Sequence, residues 1–329
     1  MRKYGWEVRE FDSGMMSWHY RMWMKPVQRL ITNFKKDLDL FAHNPFSLHP
    51  YREEKLRLAI REFRPHILFV IRGHGFSPAF LQEVREKYKI QKVVGWWTKG
   101  SKWYELAETE ARGYDLFFFM NRDFVIRLRQ AGHPQCYYLP HAANTEQYYP
   151  LDNVEKTLPV LFVGTWSKRR QHFMEALLPY APIIYGPKWR QSNLLNFSLL
   201  RCLRGRYLSP SQVNERYNRS KVVLNLNVLE VPPHLEGGFN QRIYDVPASG
   251  SFLLTEKAKG LEEIFVIGEE VEAFGDAAEL QDKAAFYLKN DSAREKIARK
   301  GYEKVQRVWT WDQRVQEMIR YLGVESPSR

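Results

Sequence analysis

The sequence predicts an α/β protein made of two facing Rossmann-like, doubly wound domains. Three observations lead there. Short apolar runs rich in β-branched and aromatic residues recur along the chain without polar alternation, so both faces of each strand should be buried, as in a parallel sheet. Segments with helical spacing lie between these runs. The alternation occurs twice over in 329 residues, more than one ordinary core accommodates.

In chain order, the first set of expected strands is HILFVI (66–71), KVVGWW (92–97), DLFFFM (115–120) and CYYL (136–139). The second set is PVLFV (159–163), PIIY (182–185), KVVLNL (221–226) and SFLLT (251–255). Residues 52–63 repeat Leu56, Ile60 and Phe63, and residues 278–289 repeat Leu280, Ala284 and Leu288, both at helical spacing. Ser292 with Glu295 reads as a capping box opening a helix that carries Ile297 and Val305. The break falls in YYPLDNVEKTLP (148–159), where two prolines and a polar cluster separate the fourth strand from the fifth. The expected division is therefore residues 1–150, residues 151–310, and a closing helix at 311–329. The opening, MRKYGWEVREFD, reads as the end of a helix, a Gly turn and a second strand. The N-terminal domain thus lacks its first strand, and the sequence is read as beginning downstream of a natural start.

Composition narrows the partners. Lys and Arg outnumber Asp and Glu by 50 to 38, a net charge of +12, which favours phosphorylated small molecules, nucleic acid or a membrane surface. Cys136 and Cys202 stand far apart, with no spacing that a zinc site needs, so no structural metal is expected and a reducing cytosol suits the chain. Runs such as ILFVI and LFFFM are about a quarter of the ~20 residues of a membrane-spanning helix. The first ten residues carry charge where a signal peptide would be apolar. The reading is a cytoplasmic protein without a transmembrane segment.

In open parallel sheets ligands bind at the carboxyl ends of strands, so the residues after each strand are the candidates. After the fifth strand comes FVGTWSKRRQHF, where Gly164 permits close backbone approach and Thr165 offers a hydroxyl. Lys168, Arg169 and Arg170 there gather charge at a helix N-terminus, a seat for a diphosphate; the alternative is a solvated basic first turn. Tyr185 and Gly186, in YGPKW, form either a turn that packs against a base or sugar or a plain Gly-Pro turn. In NLNVLEVPPHLEGGFNQRIYDVPASG, Gly237 and Gly238 open access to amides at a helix that begins at Asn240. Asp245, further along that helix, is placed to accept hydrogen bonds from a vicinal diol such as ribose. Read alone, it could equally pair with Arg242 on the helix surface, worth about 0.3 kcal/mol. For proton transfer the best candidate is His74 in IRGHGFS, with His19, His141 and His234 behind it and simple loop hydrogen bonding as the alternative. The segment GMMSWHYRMWMKPVQRL (14–30) is read as packing over the N-terminal sheet, with an acceptor groove or lipid headgroups as alternatives.

The run NQRIYDVPASGSFLLTEKAKGLEEIF, followed by GYEKVQRVWTWDQRVQEMI, resembles glycosyltransferases related to spore maturation protein CgeB, within the group 1 glycosyltransferases of the GT-B fold. The matching positions are Asn240, Arg242, Tyr244, Asp245, Ala248, Gly250, Leu253, Leu254, Thr255 and Glu256. The likeness continues through VLFVGTWSKRR, YGPKW, YNRSKVVLNLN and YLPHAANTEQYYP. It implies a nucleotide-sugar donor, such as a UDP-sugar, held by the C-terminal domain. It further implies an acceptor on the N-terminal domain and a diphosphate leaving group neutralised by basic side chains without a divalent metal or other cofactor. Three positions depart from the family pattern: Gly237 stands where a first glutamate is usual, with Glu236 beside it; Lys99 follows the second strand where relatives carry an acid; and Pro247 interrupts the helix of Asp245. The expectation is a metal-independent glycosyltransferase with Lys168 and Arg169 on the diphosphate, Gly238 and Asn240 giving amide contacts, and an unidentified glycan, protein or other acceptor. The alternatives are a nucleic-acid-directed, base-modifying transferase and a non-catalytic nucleotide- or glycan-binding module on a degenerate GT-B fold.

Overall fold

Runs of β-branched and aromatic residues become strands covered on both faces, which is why they show no polar alternation. The structure, a computed structural model, describes residues 1–12, 48–71, 76–98, 104–227 and 239–323. The chain divides into two units, Met1–Leu139 with Met318–Arg329, and Pro140–Glu317.

The first unit holds a four-stranded parallel sheet in the order β1 (Ile67–Ile71), β2 (Lys92–Trp97), β3 (Leu116–Phe119), β4 (Cys136–Tyr138). All four residues of β3 are buried. Helices α1 (Leu48–Phe63), α2 (Pro78–Tyr88), α3 (Tyr104–Ala111) and α4 (Arg122–Gln130) alternate with the strands. Their starts are written in the sequence: Ser77 accepts from the Phe80 amide ahead of Pro78, and Asn121 accepts from the Phe124 amide. Gly95 in β2 is required by packing, since a Cβ there would lie 2.5 Å from the Phe117 ring. Among the described residues no strand precedes Ile67.

The second unit holds a six-stranded parallel sheet. Its strands are β5 (Leu158–Val163), β6 (Ile183–Tyr185), β7 (Leu203–Gly205), β8 (Ser220–Asn225), β9 (Leu253–Glu256) and β10 (Glu272–Phe274), in the spatial order β10-β9-β8-β5-β6-β7. β7 and β10 were not expected from the sequence. Each is three residues long and lies at an edge, where little apolar content is needed. Side chains alternate between two cores: Val160, Phe162, Val222 and Leu224 pack on one face with Phe173 and Trp189, while Leu161, Val223 and Leu253 pack on the other with Ile243 and Val305.

Helices α5 (Lys168–Ala176), α6 (Pro210–Asn218), α7 (Arg242–Ala248), α8 (Ala277–Lys289), α9 (Asp291–Val308) and α10 (Trp311–Leu322) complete the chain. The capping box is at Ser209 with Gln212, opening α6. The one expected at Ser292 with Glu295 does not form: α9 already starts at Asp291, so Ser292 lies inside its first turn. The end of α10 belongs to the first unit, where Tyr321 packs on Tyr137 and Phe118, with ring centroids 4.5 and 5.6 Å away.

The second sheet sets the position of any ligand. From β5 the chain steps outward through β6 to β7, then returns to β8 on the other side of β5 and steps outward to β10. The direction of winding therefore reverses between β5 and β8, and the carboxyl ends of those two strands flank the natural binding crevice.

Candidate functional site

At the carboxyl end of β5 the chain leaves through Gly164, Thr165 and Trp166, and Ser167 caps α5 by accepting from the Arg170 amide at 3.3 Å. The neighbouring loop after β6 is drawn against it. The Gly164 amide donates to the Tyr185 carbonyl at 2.8 Å, the Trp166 amide to the Pro187 carbonyl at 3.1 Å, and the Trp189 indole to the Gly164 carbonyl at 2.8 Å. Gly186 sits at φ +151°, and a Cβ there would overlap the Gly164 carbonyl oxygen. A glycine is required at 186 both for its backbone angle and for this approach. At Gly164 a Cβ would meet the Phe162 ring at 2.8 Å and the Arg242 guanidinium at 3.2 Å.

The three adjacent cations of α5 have three different environments. Lys168 is exposed at the first helical position. Arg169 is half-buried and paired with Glu256, donating through Nε at 3.0 Å and also through Nη2. Glu256, buried at the end of β9, also accepts from the Asn227 amide at 2.9 Å. Arg170 is buried: its Nε and Nη2 donate to the Leu226 carbonyl at 3.1 and 2.8 Å, and Nη1 donates to the Thr165 carbonyl at 2.7 Å. Burial and the neighbouring Arg242 lower its pKa. The expectation of a cluster facing a diphosphate is corrected for Arg170, whose donors tie the loop after β5 to the chain leaving β8. Thr165 contributes its carbonyl to that tie.

Asn225, at the end of β8, is the centre of a second network. Its Oδ1 accepts from Asn240 Nδ2 at 2.8 Å and from Arg242 Nη1 at 2.7 Å, and its Nδ2 donates to Thr255 Oγ1 at 2.9 Å. Arg242 also reaches the Val163 carbonyl through Nη2 at 2.6 Å. Asn240 Oδ1 accepts from the Arg242 amide at 3.1 Å, so Asn240 begins the turn into α7, whose helix opens at Arg242, two residues after the expected start. The ends of β5, β8 and β9 and the start of α7 are thereby locked together. Asn225 and Glu256 were not among the expected site residues; the polar ends of NLN and LLTE, each closing an apolar strand, carried the signal.

Asp245 is 6 % exposed and does not sit on the helix surface beside Arg242. Its Oδ1 accepts from the Asn144 amide at 3.4 Å. Burial pushes the carboxyl up to about 8, opposed by the Asn144 hydrogen bond and the Arg242 charge. Tyr148 and Tyr217 have raised pKa values, chiefly through burial with Asp245 adding to it, which puts both phenols within its field. Pro247 lies inside α7 without ending it before Ala248.

His141 is half-buried beside Trp311, and desolvation lowers its pKa to about 4. His74, His19, His234, Lys99, Glu236, Gly237, Gly238 and the 14–30 segment lie outside the described residues. Among the described residues, no group of three His, Cys, Asp or Glu is arranged to hold a metal ion, and no helix is long and apolar enough to cross a membrane. A cavity of about 660 Å³ opens by the amino ends of β5, β8 and β9, lined in part by Lys156, Lys221 and Phe252, and holds none of the side chains above.

Residues 169–320 match a family model described as glycosyl transferase-like. The spore protein CgeB of Bacillus subtilis (strain 168) is 20% identical over 289 residues, spanning 83% of this chain and 87% of that protein. Among solved structures, sucrose-phosphate synthase from Thermosynechococcus elongatus matches with a TM-score of 0.67 at 13% identity, over 88% of this chain and 86% of its own. The Anabaena protein HepE in complex with UDP-glucose matches with a TM-score of 0.64 at 12% identity, over 91% of this chain and 89% of its own.

Proposed function

We propose that this chain, a CgeB-like glycosyltransferase of the GT-B fold, takes its sugar from a nucleoside diphosphate donor held at the carboxyl ends of β5, β6, β8 and β9. The observation that carries the reading is the place where winding reverses: a glycine pair in backbone contact, a capped helix start with an exposed lysine, and a buried carboxyl all belong to strand ends or the helix beside them. HepE, on the same fold, is a complex with UDP-glucose, which supports a donor of this class.

In this reading the bond between the anomeric carbon and the diphosphate oxygen breaks, and the charge left on the diphosphate is met by Lys168 and the first amides of α5. No divalent cation is assigned to that role. Arg169 shares its charge with Glu256 and sets the edge of the same seat. Arg170, Arg242 and Asn225 act as positioning residues that hold the loops in register. Asp245, beside the Asn144 amide, accepts the ribose hydroxyls, and Gly164, Gly186 and Tyr185 form the wall along which the donor lies. Gly238 and Asn240 are proposed to give backbone amide contacts to the diphosphate. His74 is the proposed base that takes the acceptor hydroxyl's proton as its oxygen bonds to the anomeric carbon.

Calorimetric titration with UDP-glucose, together with chromatographic detection of released UDP, tests this. Binding and slow donor hydrolysis that both weaken in Lys168→Ala support it. Binding without turnover under any acceptor supplied would leave a nucleotide-binding module, and the absence of both would remove the donor reading.

A further inference from the structure

From residue 176 to residue 214 the chain carries no Asp or Glu, while Lys188, Arg190, Arg201, Arg204 and Arg206 are all cationic. This stretch includes the crossover from β6 to the edge strand β7, with two single-turn helices, Trp189–Ser192 and Phe197–Leu200. Its inner side is firmly anchored. Trp189 and Leu199 are buried in the core, Asn193 Nδ2 donates to the Trp189 carbonyl at 2.9 Å, and Asn196 caps the second helix through the Leu199 amide. Its outer side is apolar and open to water: Leu194 is 65% exposed, Leu195 90% and Phe197 70%.

Isolated exposed leucines are ordinary, but three large apolar side chains within four positions, on a rigidly held turn, form a patch that water does not favour. The cations around them are exposed, and no carboxylate pairs with any of the five among the described residues. Glu175, the nearest acid before the stretch, is itself engaged by the amides of Gln171 and Asn196. Exposed apolar side chains flanked along the chain by exposed guanidinium groups without carboxylate partners complement one kind of surface, an apolar layer under anionic headgroups. Nucleic acid fits less well, because the two adjacent leucines, of which Leu195 projects furthest, offer no ring for a base to stack on.

We propose that this crossover is a membrane-docking surface: Leu194, Leu195 and Phe197 enter the outer apolar layer of a bilayer while Arg190, Arg201 and Arg204 contact anionic phospholipid headgroups. The proposal stands apart from the donor reading, since none of these residues belongs to the strand-end networks. Each leucine transferred from water should add at least about tenfold to membrane partition, and each arginine at the surface about fivefold.

Flotation of the full chain with phosphatidylcholine vesicles, with and without phosphatidylglycerol, at physiological salt, provides the test. The expected result is flotation with the anionic vesicles, with partition reduced about a hundredfold in Leu194→Ser/Leu195→Ser, which leaves the charge unchanged, and about twenty-five-fold in Arg190→Gln/Arg201→Gln. All of these positions are exposed, so thermal unfolding of the variants should match that of the unaltered protein. The proposal is overturned if the unaltered protein stays with the neutral and anionic vesicles alike in the unbound fraction. It is also overturned if the leucine variant floats as well as the parent, which would reduce the effect to bulk charge. A single-stranded RNA probe that binds the parent and is lost in the same two variants would likewise replace the bilayer with nucleic acid.

Discussion

Replacing Asp245 by asparagine separates what the carboxyl costs the fold from what it gives the ligand. The side chain is 6 % exposed, and burial holds its pKa at about 8, whereas the unfolded chain releases the proton near the ordinary aspartate value of 3.8. Between those two values the folded state carries a proton that the unfolded state has lost, so stability declines as pH rises from about 4 to about 8 and then levels off. At pH 7 the interval is roughly three pKa units, or about 4 kcal/mol. Asparagine has nearly the same shape and keeps an oxygen for the Asn144 amide, but it does not titrate. The Asp245→Asn variant should therefore be more stable than the parent by about 4 kcal/mol at pH 7 and indistinguishable from it near pH 4. Urea unfolding followed by fluorescence from pH 4 to pH 8 measures this directly. A ribose diol that donates to Asp245 favours the ionised form, so donor affinity should rise up to about tenfold per pH unit between 6 and 8 in the parent and stay flat in the variant. Parallel stability curves for the two proteins across that range would refute the reasoning.

Other substitutions separate the network from the ligand contacts. Gly186→Ala should cost about 3 kcal/mol or more, because the methyl overlaps the Gly164 carbonyl at a positive φ, and its melting curve should show the loss even without ligand. Arg170→Lys should destabilise by about 2 kcal/mol in denaturant titration, since one ammonium cannot reproduce the fork across the Leu226 and Thr165 carbonyls. Lys168→Ala should leave the melting temperature unchanged, because the side chain is exposed, while lowering donor affinity about tenfold in calorimetry.

The parallel sheets were legible in the sequence because burial on both faces leaves unbroken apolar runs: LFFF of β3 and VLFV within β5 can hardly be read otherwise. β7 and β10 were not, because LRG and EAF gain their strand character from one neighbour at a sheet edge, and that neighbour is distant in sequence. At the site, strand-end position singled out Gly164 and Gly186, and a place along the helix after β8 singled out Asp245. The sequence cannot show helix phase relative to a sheet that has yet to form. Lys168 and Arg170 are two positions apart in one basic run, yet rotation along the helix turns one to solvent and the other to the Leu226 carbonyl. The Arg169–Glu256 pair spans 87 positions and is a product of β9 lying two strands from β5. Asn225 escaped notice because one asparagine after an apolar strand is unremarkable until Asn240, Arg242 and Thr255 are seen to meet on it.

The central claim, that the crevice where winding reverses holds a nucleoside diphosphate sugar, is tested most directly by titrating UDP-glucose into the full chain and into Lys168→Ala by calorimetry. Saturable binding is expected that weakens about tenfold in the variant with no change in fold stability. Equal affinity in the two proteins, or no heat from any nucleoside diphosphate sugar, would contradict it.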